Sequence, residues 1–310
     1  MRKDKVTILP HIGYTQSANT LFHFMKKIEY LETILRNRAI VPRYCVEDIE
    51  YLDIFSGTEK YNRIAILQKC FCDIPFHKLT DSFETKVLEE DCRILSNDEK
   101  RELDYSNTHP NYYGKFAIAF SKEWGEENNL QPVHYLNQNS SYTKHLQKLF
   151  NDAINSDNIE DLYADDVLQR LAFIKPLRGK MMRMLSNGRK VTIYKNFCDE
   201  QEWRYVPFQT KLAEAEDLNI VIAGESSIRI LVESDFSGTN INDKLYNEKY
   251  RELWLKFNYD DIRYIIVPDL YRRIDIIKCI ASIPDEQFKE NEREVLISKI
   301  LVLNEIGGDW

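Results

Sequence analysis

The apolar residues of this chain fall into short runs of two different periods, and that mixture constrains the fold more than any other feature. Thr20-Leu21-Phe22-His23-Phe24 is β-prone and follows the polar residues Thr15, Gln16, Ser17 and Asn19. Directly after it, Ile28, Leu31, Ile34 and Leu35 recur at the spacing of one helical face. Ile40-Val41-Pro42 resumes an extended path. Cys70 to Pro75 reads as a further strand, closed by a proline that cannot continue a ladder. More strands are predicted at Lys115–Ser121, Pro132–Leu136, Val191–Asn196, Glu202–Phe208, Ile228–Val232 and Ile262–Val267. Helices are predicted at Glu123–Asn128, Tyr142–Asn155, Ile159–Ile174 and Leu270–Ile283, the last with Ile274, Ile277, Cys279, Ile280 and Ile283 inward. Val191–Asn196 and Glu202–Phe208, joined by Cys198, Asp199 and Glu200, have the spacing of a hairpin. Strands and helices mix without the regular βαβ order of a doubly wound sheet, so the expected class is α+β, a mostly antiparallel sheet with flanking helices. The 310 residues suit one domain over 1–310, or a core at 1–210 with an extension at 211–310.

Several function classes are excluded early. The apolar runs fall far short of the roughly 18 residues of a membrane span. The charged start (Met1, Arg2, Lys3, Asp4, Lys5) leads into no signal-like segment, so no membrane association and a cytoplasmic location are expected. With 42 Lys+Arg against 50 Asp+Glu the net charge is −8, which argues against wholesale nucleic-acid wrapping but permits a local basic site. The six cysteines are expected to stay reduced. Cys70-Phe71-Cys72, with His77 nearby, is too closely spaced for a zinc pair and has no second pair, so buried thiols and no metal are expected. Gly179, Gly188 and Gly224 stand alone, so there is no glycine-rich phosphate loop. The acidic stretch from Glu84 to Asp104 reads as solvated surface.

Four places could carry chemistry. In Asp199-Glu200-Gln201-Glu202-Trp203-Arg204-Tyr205, strand alternation would put Glu200, Glu202 and Arg204 on one face. Two crowded carboxylates raise a proton affinity unless a cation neutralises them; if Arg204 does so, the group is the charged outer face of a hairpin. His23 lies between Phe22 and Phe24 and so points away from their face. Tyr112 and Tyr113, after the loop at His109-Pro110, could stack on a flat ring or rim the core, while Gly114 lets the backbone turn or approach something closely. Finally, Lys175, Arg178, Lys180, Arg183, Arg189, Lys190 and Lys195 form an acid-free basic stretch containing Met181, Met182 and Met184. It suits phosphates, an adaptable contact with an acidic partner, or a solvated basic helix.

Leu21-Phe22-His23-Phe24 with Leu31-Glu32-Thr33-Ile34-Leu35, Pro42-Arg43-Tyr44-Cys45 and Cys70 through Pro75 together resemble the AbiGi family of abortive phage-resistance proteins. Tyr113-Gly114-Lys115-Phe116, Phe120 through Trp124, Pro132 through Tyr135, Asp199 through Pro207 and Asp260 through Val267 carry the same likeness in order. It implies phage defence in a two-gene system whose member of this kind is labelled the antitoxin, with a cognate toxin or other defence protein as partner. More distantly the pattern is similar to the ADP-ribosyltransferase superfamily. That similarity implies NAD as cofactor and a nucleic-acid or protein acceptor. Glu202 would be the catalytic carboxylate and Glu200 would orient the acceptor. His23 would hold the adenosine ribose, Tyr113 or Ser121 would line the nicotinamide pocket, and cations such as Arg178 and Lys180 would meet the pyrophosphate. A fixed carboxylate would stabilise the oxocarbenium-like sugar formed as the nicotinamide leaves.

Overall fold

A computed structural model describes residues 18–82, 85–87, 89–105, 107–155, 166–207, 218–234 and 240–306. Its strands include β1 (Thr20–Met25), β2 (Arg43–Asp48), β3 (Arg63–Asp73), β4 (Thr85–Val87), β5 (Phe116–Ser121) and β6 (Gln131–Pro132). They continue with β7 (Arg178–Met184), β8 (Lys190–Asn196), β9 (Glu202–Tyr205), β10 (Val221–Ala223), β11 (Ile262–Val267) and β12 (Ile300–Val302). The central sheet runs β12-β11-β5-β1-β3-β9-β6, with β2 and β10 pairing along the first half of the long β3. Every pairing in it is antiparallel except β11 with β12, so the class is α+β with a mixed, mostly antiparallel sheet. A second sheet, β7-β8-β4, stands apart.

The register fixes which residues share a face. Phe22 and Glu202 both lie opposite Cys72, on the two edges of β3, while Trp203 lies opposite Phe71. Paired residues point the same way and neighbours alternate. Phe22, Cys72 and Glu202 therefore share one face, and Leu21, His23, Phe71 and Trp203 the other. On the Leu21 face, Phe71 and Met25 pack with Leu31, Ile34 and Leu35 of the helix Ile28–Asn37 and with Ile276 and Ile280 of the helix Leu270–Ala281. The first of these helices stops where Arg38 adopts a left-handed conformation. Phe22, Cys72, Ala117 and Ala119 pack on the opposite face. The inner face of the second sheet buries Val191 and Ile193 against Leu95, Leu103 and Tyr112.

Several expectations from the sequence need correction. Lys190–Asn196 does not form a hairpin with the Glu202 strand; it pairs with Arg178–Met184 through the tight turn at Asn187 and Gly188, and Glu202–Tyr205 joins the central sheet instead. The basic stretch is thus a β-hairpin, not a helix. Ile228–Val232 belongs to the helix Glu225–Leu231 and its cap, because the buried pair Ile228 and Val232 is spaced by four and Ile230 faces out. In Leu270–Ala281 the inward side carries Ile276, Cys279 and Ile280, while Ile274 is half exposed. His109–Tyr113 is a short helix rather than a loop. The strand predicted at 132–136 is two pieces, Gln131–Pro132 and His134–Leu136. Of the predicted helix 159–174, residues 159–165 lie outside the described residues, Arg170–Phe173 is a 3-10 turn, and Ile174 opens the strand Ile174–Pro176. Phe208 also lies outside them.

Candidate functional site: a buried charge network beside an acidic cleft

The turn Phe197–Glu200 ends with Gln201 in the left-handed conformation, and this places Glu200 and Glu202 over the same face of the central sheet. Lys175 bridges them, with its Nζ 2.8 Å from Glu200 Oε2 and 2.9 Å from Glu202 Oε2. Lys195 Nζ donates to Glu200 Oε1 at 2.7 Å, and the Tyr113 hydroxyl donates to the same oxygen. Arg204 Nε donates to Glu202 Oε1 at 2.7 Å, while its two terminal nitrogens reach the Ala172 carbonyl at 2.8 Å and Glu47 Oε1 at 2.9 Å. The Glu202 amide donates to the Tyr135 hydroxyl at 2.8 Å. Arg204 and Lys195 are 0% and 1% exposed, and both glutamates 4%.

Burial alone would push both carboxyls up. For Glu202 the guanidinium of Arg204 and the ammonium of Lys175 overturn that and hold it far below the ordinary range; for Glu200, Lys175 and Lys195 outweigh burial and lower it. Both are therefore ionised, and every carboxylate oxygen accepts at least one charged donor. A general acid or base is tuned toward neutral pH, whereas both glutamates are held below the ordinary carboxylate range. Their neutraliser is not Arg204 alone, and the group is a buried core rather than the exposed hairpin face that the spacing allowed.

The remaining candidates divide between two cavities and the surface. His23 is buried, donates from Nδ1 to the Cys70 carbonyl at 2.9 Å, and sits 5.4 Å from the Phe71 ring. Burial, with Lys69 adding repulsion, brings it down to about 3, so the imidazole is neutral. It does point away from Phe22 and Phe24, but for that reason it faces away from Glu202 across β3. The Ser121 hydroxyl accepts from the Trp124 amide at 3.1 Å and caps the helix Lys122–Glu127. Arg178 and Lys180 are exposed on the outer face of the hairpin, and Lys180 borders the cleft that Glu200 lines. Tyr113 and Lys180 line that cleft together with Glu200. Tyr113 also lines a second cavity with His23, while Glu202, Ser121 and Arg178 line neither of the two. Among the described residues no His, Cys, Asp or Glu cluster could hold a metal ion, and no helix is long and apolar enough to cross a membrane.

Glu200 and Lys175 form one wall of a cleft of about 570 Å³ that Glu202 does not reach. Glu47, Asp48, Glu50 and Asp53 line it against Lys60, Lys175 and Lys180. Lys60 is paired with Asp53 at 2.6 Å. A pyrophosphate would meet more acid than base there.

Two comparisons bear on identity. The family model described as "abortive phage resistance protein AbiGi, antitoxin" matches residues 101–268. A curated protein from Lactococcus lactis subsp. cremoris, "Abortive phage resistance protein AbiGi", is 34% identical over 282 residues, spanning 88% of this chain and 100% of that protein. The chain belongs to the AbiGi family. No solved structure matches it. The stretch matched by the AbiGi family model holds Tyr113, Lys175, Lys195, Glu200, Glu202 and Arg204, every member of the network but Glu47. It leaves out His23.

The inward direction of Lys195, though not its partner, could have been placed from the sequence. Val191 and Ile193 alternate inward, and Lys195 continues their face. Glu47 and Tyr135 gave no such signal; only the tertiary fold brings them in.

Proposed function

We propose that this AbiGi chain serves phage defence as an antitoxin-type binding protein, and that the outer face of β7 and β8 docks an acidic surface of its toxin. That face carries the observation behind the proposal: Met182 and Met184 are 64% and 63% exposed, beside half-exposed Tyr194. Arg178, Lys180 and Lys190 surround them, and none of the side chains that β7 and β8 present there is acidic. A cationic apolar face on a chain of net charge −8 selects an acidic partner by complementarity. Methionines supply adaptable contact area. The family's antitoxin description and the ionised, cation-paired state of Glu200 and Glu202 favour binding over catalysis.

The test is titration of the purified chain with its cognate toxin. Met182→Asp/Met184→Asp should weaken the complex by about 100-fold or more, since two buried methionines are worth roughly 3–6 kcal/mol and the new charges repel an acidic surface. Thermal stability should not move, because both side chains project into solvent. Unchanged toxin affinity in this variant sinks the docking face. Sustained nicotinamide release from NAD by the wild-type chain alone would replace the binding role with an enzymatic one. Salt-sensitive RNA binding on the same face, without toxin binding, would do so with a third.

A further inference from the structure

A second cavity, of about 530 Å³, opens between β1, the helix Ile28–Asn37 and residues 240–246. Its electrostatics are opposite to those of the acidic cleft. Lys69 of β3 lines it, with Arg43 of β2 and, after β1, Lys26 and Lys27. Asp243 is the one carboxylate among the described residues that line it. None of the four cations makes an ion pair or hydrogen bond with a described residue; Lys27 only lies over the Tyr30 ring at 6.0 Å. Lys69 is the informative one, because a half-buried ammonium without a carboxylate is costly unless something else supplies charge. Its burial, with Arg43 adding repulsion, brings it down to about 8. Two tyrosines, Tyr30 and Tyr246, flank the cavity at 45% and 51% exposed.

We propose that this cavity is a binding site for a free nucleoside phosphate, with the phosphates on Lys69 and Arg43 and the base against Tyr30 and Tyr246. The size lies within the roughly 300–1,000 Å³ of small-ligand sites. The cations supply charge-assisted donors for phosphate oxygens, and the exposed phenol rings supply faces for a flat base. The site uses none of the docking face, so it stands or falls independently of the toxin-binding proposal.

The experiment is calorimetric titration of the chain, without any partner, using ATP, adenosine and inorganic phosphate. ATP should bind in the micromolar range, and each fragment at least about tenfold more weakly, because each meets only one part of the site. Lys69→Met should lower ATP affinity by about 100-fold and leave the unfolding temperature unchanged or higher, since it removes a desolvated charge. Exposed Tyr246→Ala should cost about tenfold, and Arg178→Ala on the distant hairpin nothing. Absence of ATP binding at millimolar concentration, or binding that Lys69→Met leaves intact, overturns the site. Phosphate binding as tightly as ATP overturns the nucleotide assignment.

Discussion

Arg204→Ala should lower the thermal unfolding midpoint by on the order of 10 °C. The guanidinium is fully buried and makes contacts with Glu202, Glu47 and the Ala172 carbonyl. Removing it leaves Glu202 with Lys175 as its one remaining cation and leaves the Ala172 oxygen without this donor. Breaking a buried pair in this way costs about 3–5 kcal/mol, and in a protein of this size about 2–4 °C accompanies each kcal/mol. Arg204→Lys separates charge from geometry. It keeps the positive charge but loses the fork that spans three acceptors, so it should recover only part of the loss. Scanning calorimetry of the two variants decides it. An Arg204→Ala chain that melts with the wild type would show that the network carries no weight in stability.

The same network sets a pH dependence. Glu200 and Glu202 have folded-state values depressed below the ordinary glutamate value of 4.5. Their contribution is fully present above that value and is lost as pH falls through the depressed folded values. Arg204→Ala removes the largest cationic influence on Glu202, so its acid-unfolding midpoint should move upward.

What the sequence disclosed follows from which forces act locally. Alternation in Thr20–Phe24 correctly turned His23 away from Phe22 and Phe24, because side-chain direction in a strand depends on the backbone alone. The helix at Ile28–Asn37 was legible for the same reason: Leu31, Ile34 and Leu35 sit one turn apart, and all three are buried. Strand partners were not legible. The Lys190 strand and the Glu202 strand are adjacent in sequence, yet the Asn187-Gly188 turn gave the first to Arg178–Met184, while Cys70 and Cys72 captured the second. The site was half legible. Glu200, Glu202 and Arg204 were found as a group, but Lys175 and Lys195 read as part of a basic patch: alternation gives the inward direction of Lys195, yet nothing local shows that buried acids wait there for either lysine. His23 and Glu202 illustrate the limit most sharply: each stands out in its own segment, and only the register across β3 shows that they diverge.

Gly114→Ala should be the most damaging small substitution in the chain. Gly114 joins the helix His109–Tyr113 to β5 with φ +126° and ψ 152°, a region that side chains other than glycine's hardly enter. An added Cβ would also land inside the carbonyl group of Met25, at the end of β1. The obstacle is backbone held in the β1–β5 ladder, where Met25 pairs with Phe116, so no side-chain rotation relieves it. The strained conformation alone costs about 1–3 kcal/mol, and displacing the ladder adds to it. The displacement would act directly on Tyr113, one residue away, and through its hydroxyl on Glu200. Gly114→Ala should therefore accumulate largely as insoluble protein, or melt more than about 10 °C below wild type. Gly57→Ala is the control, since Gly57 also has positive φ, at +57°, but its Cβ would meet nothing within 4 Å. Its cost should stay near 1 kcal/mol, the bare price of a left-handed side chain. Equal melting of the two variants would show that the close approach of Gly114 to Met25 does not hold in solution, and with it the placement of Tyr113 over the network would fall.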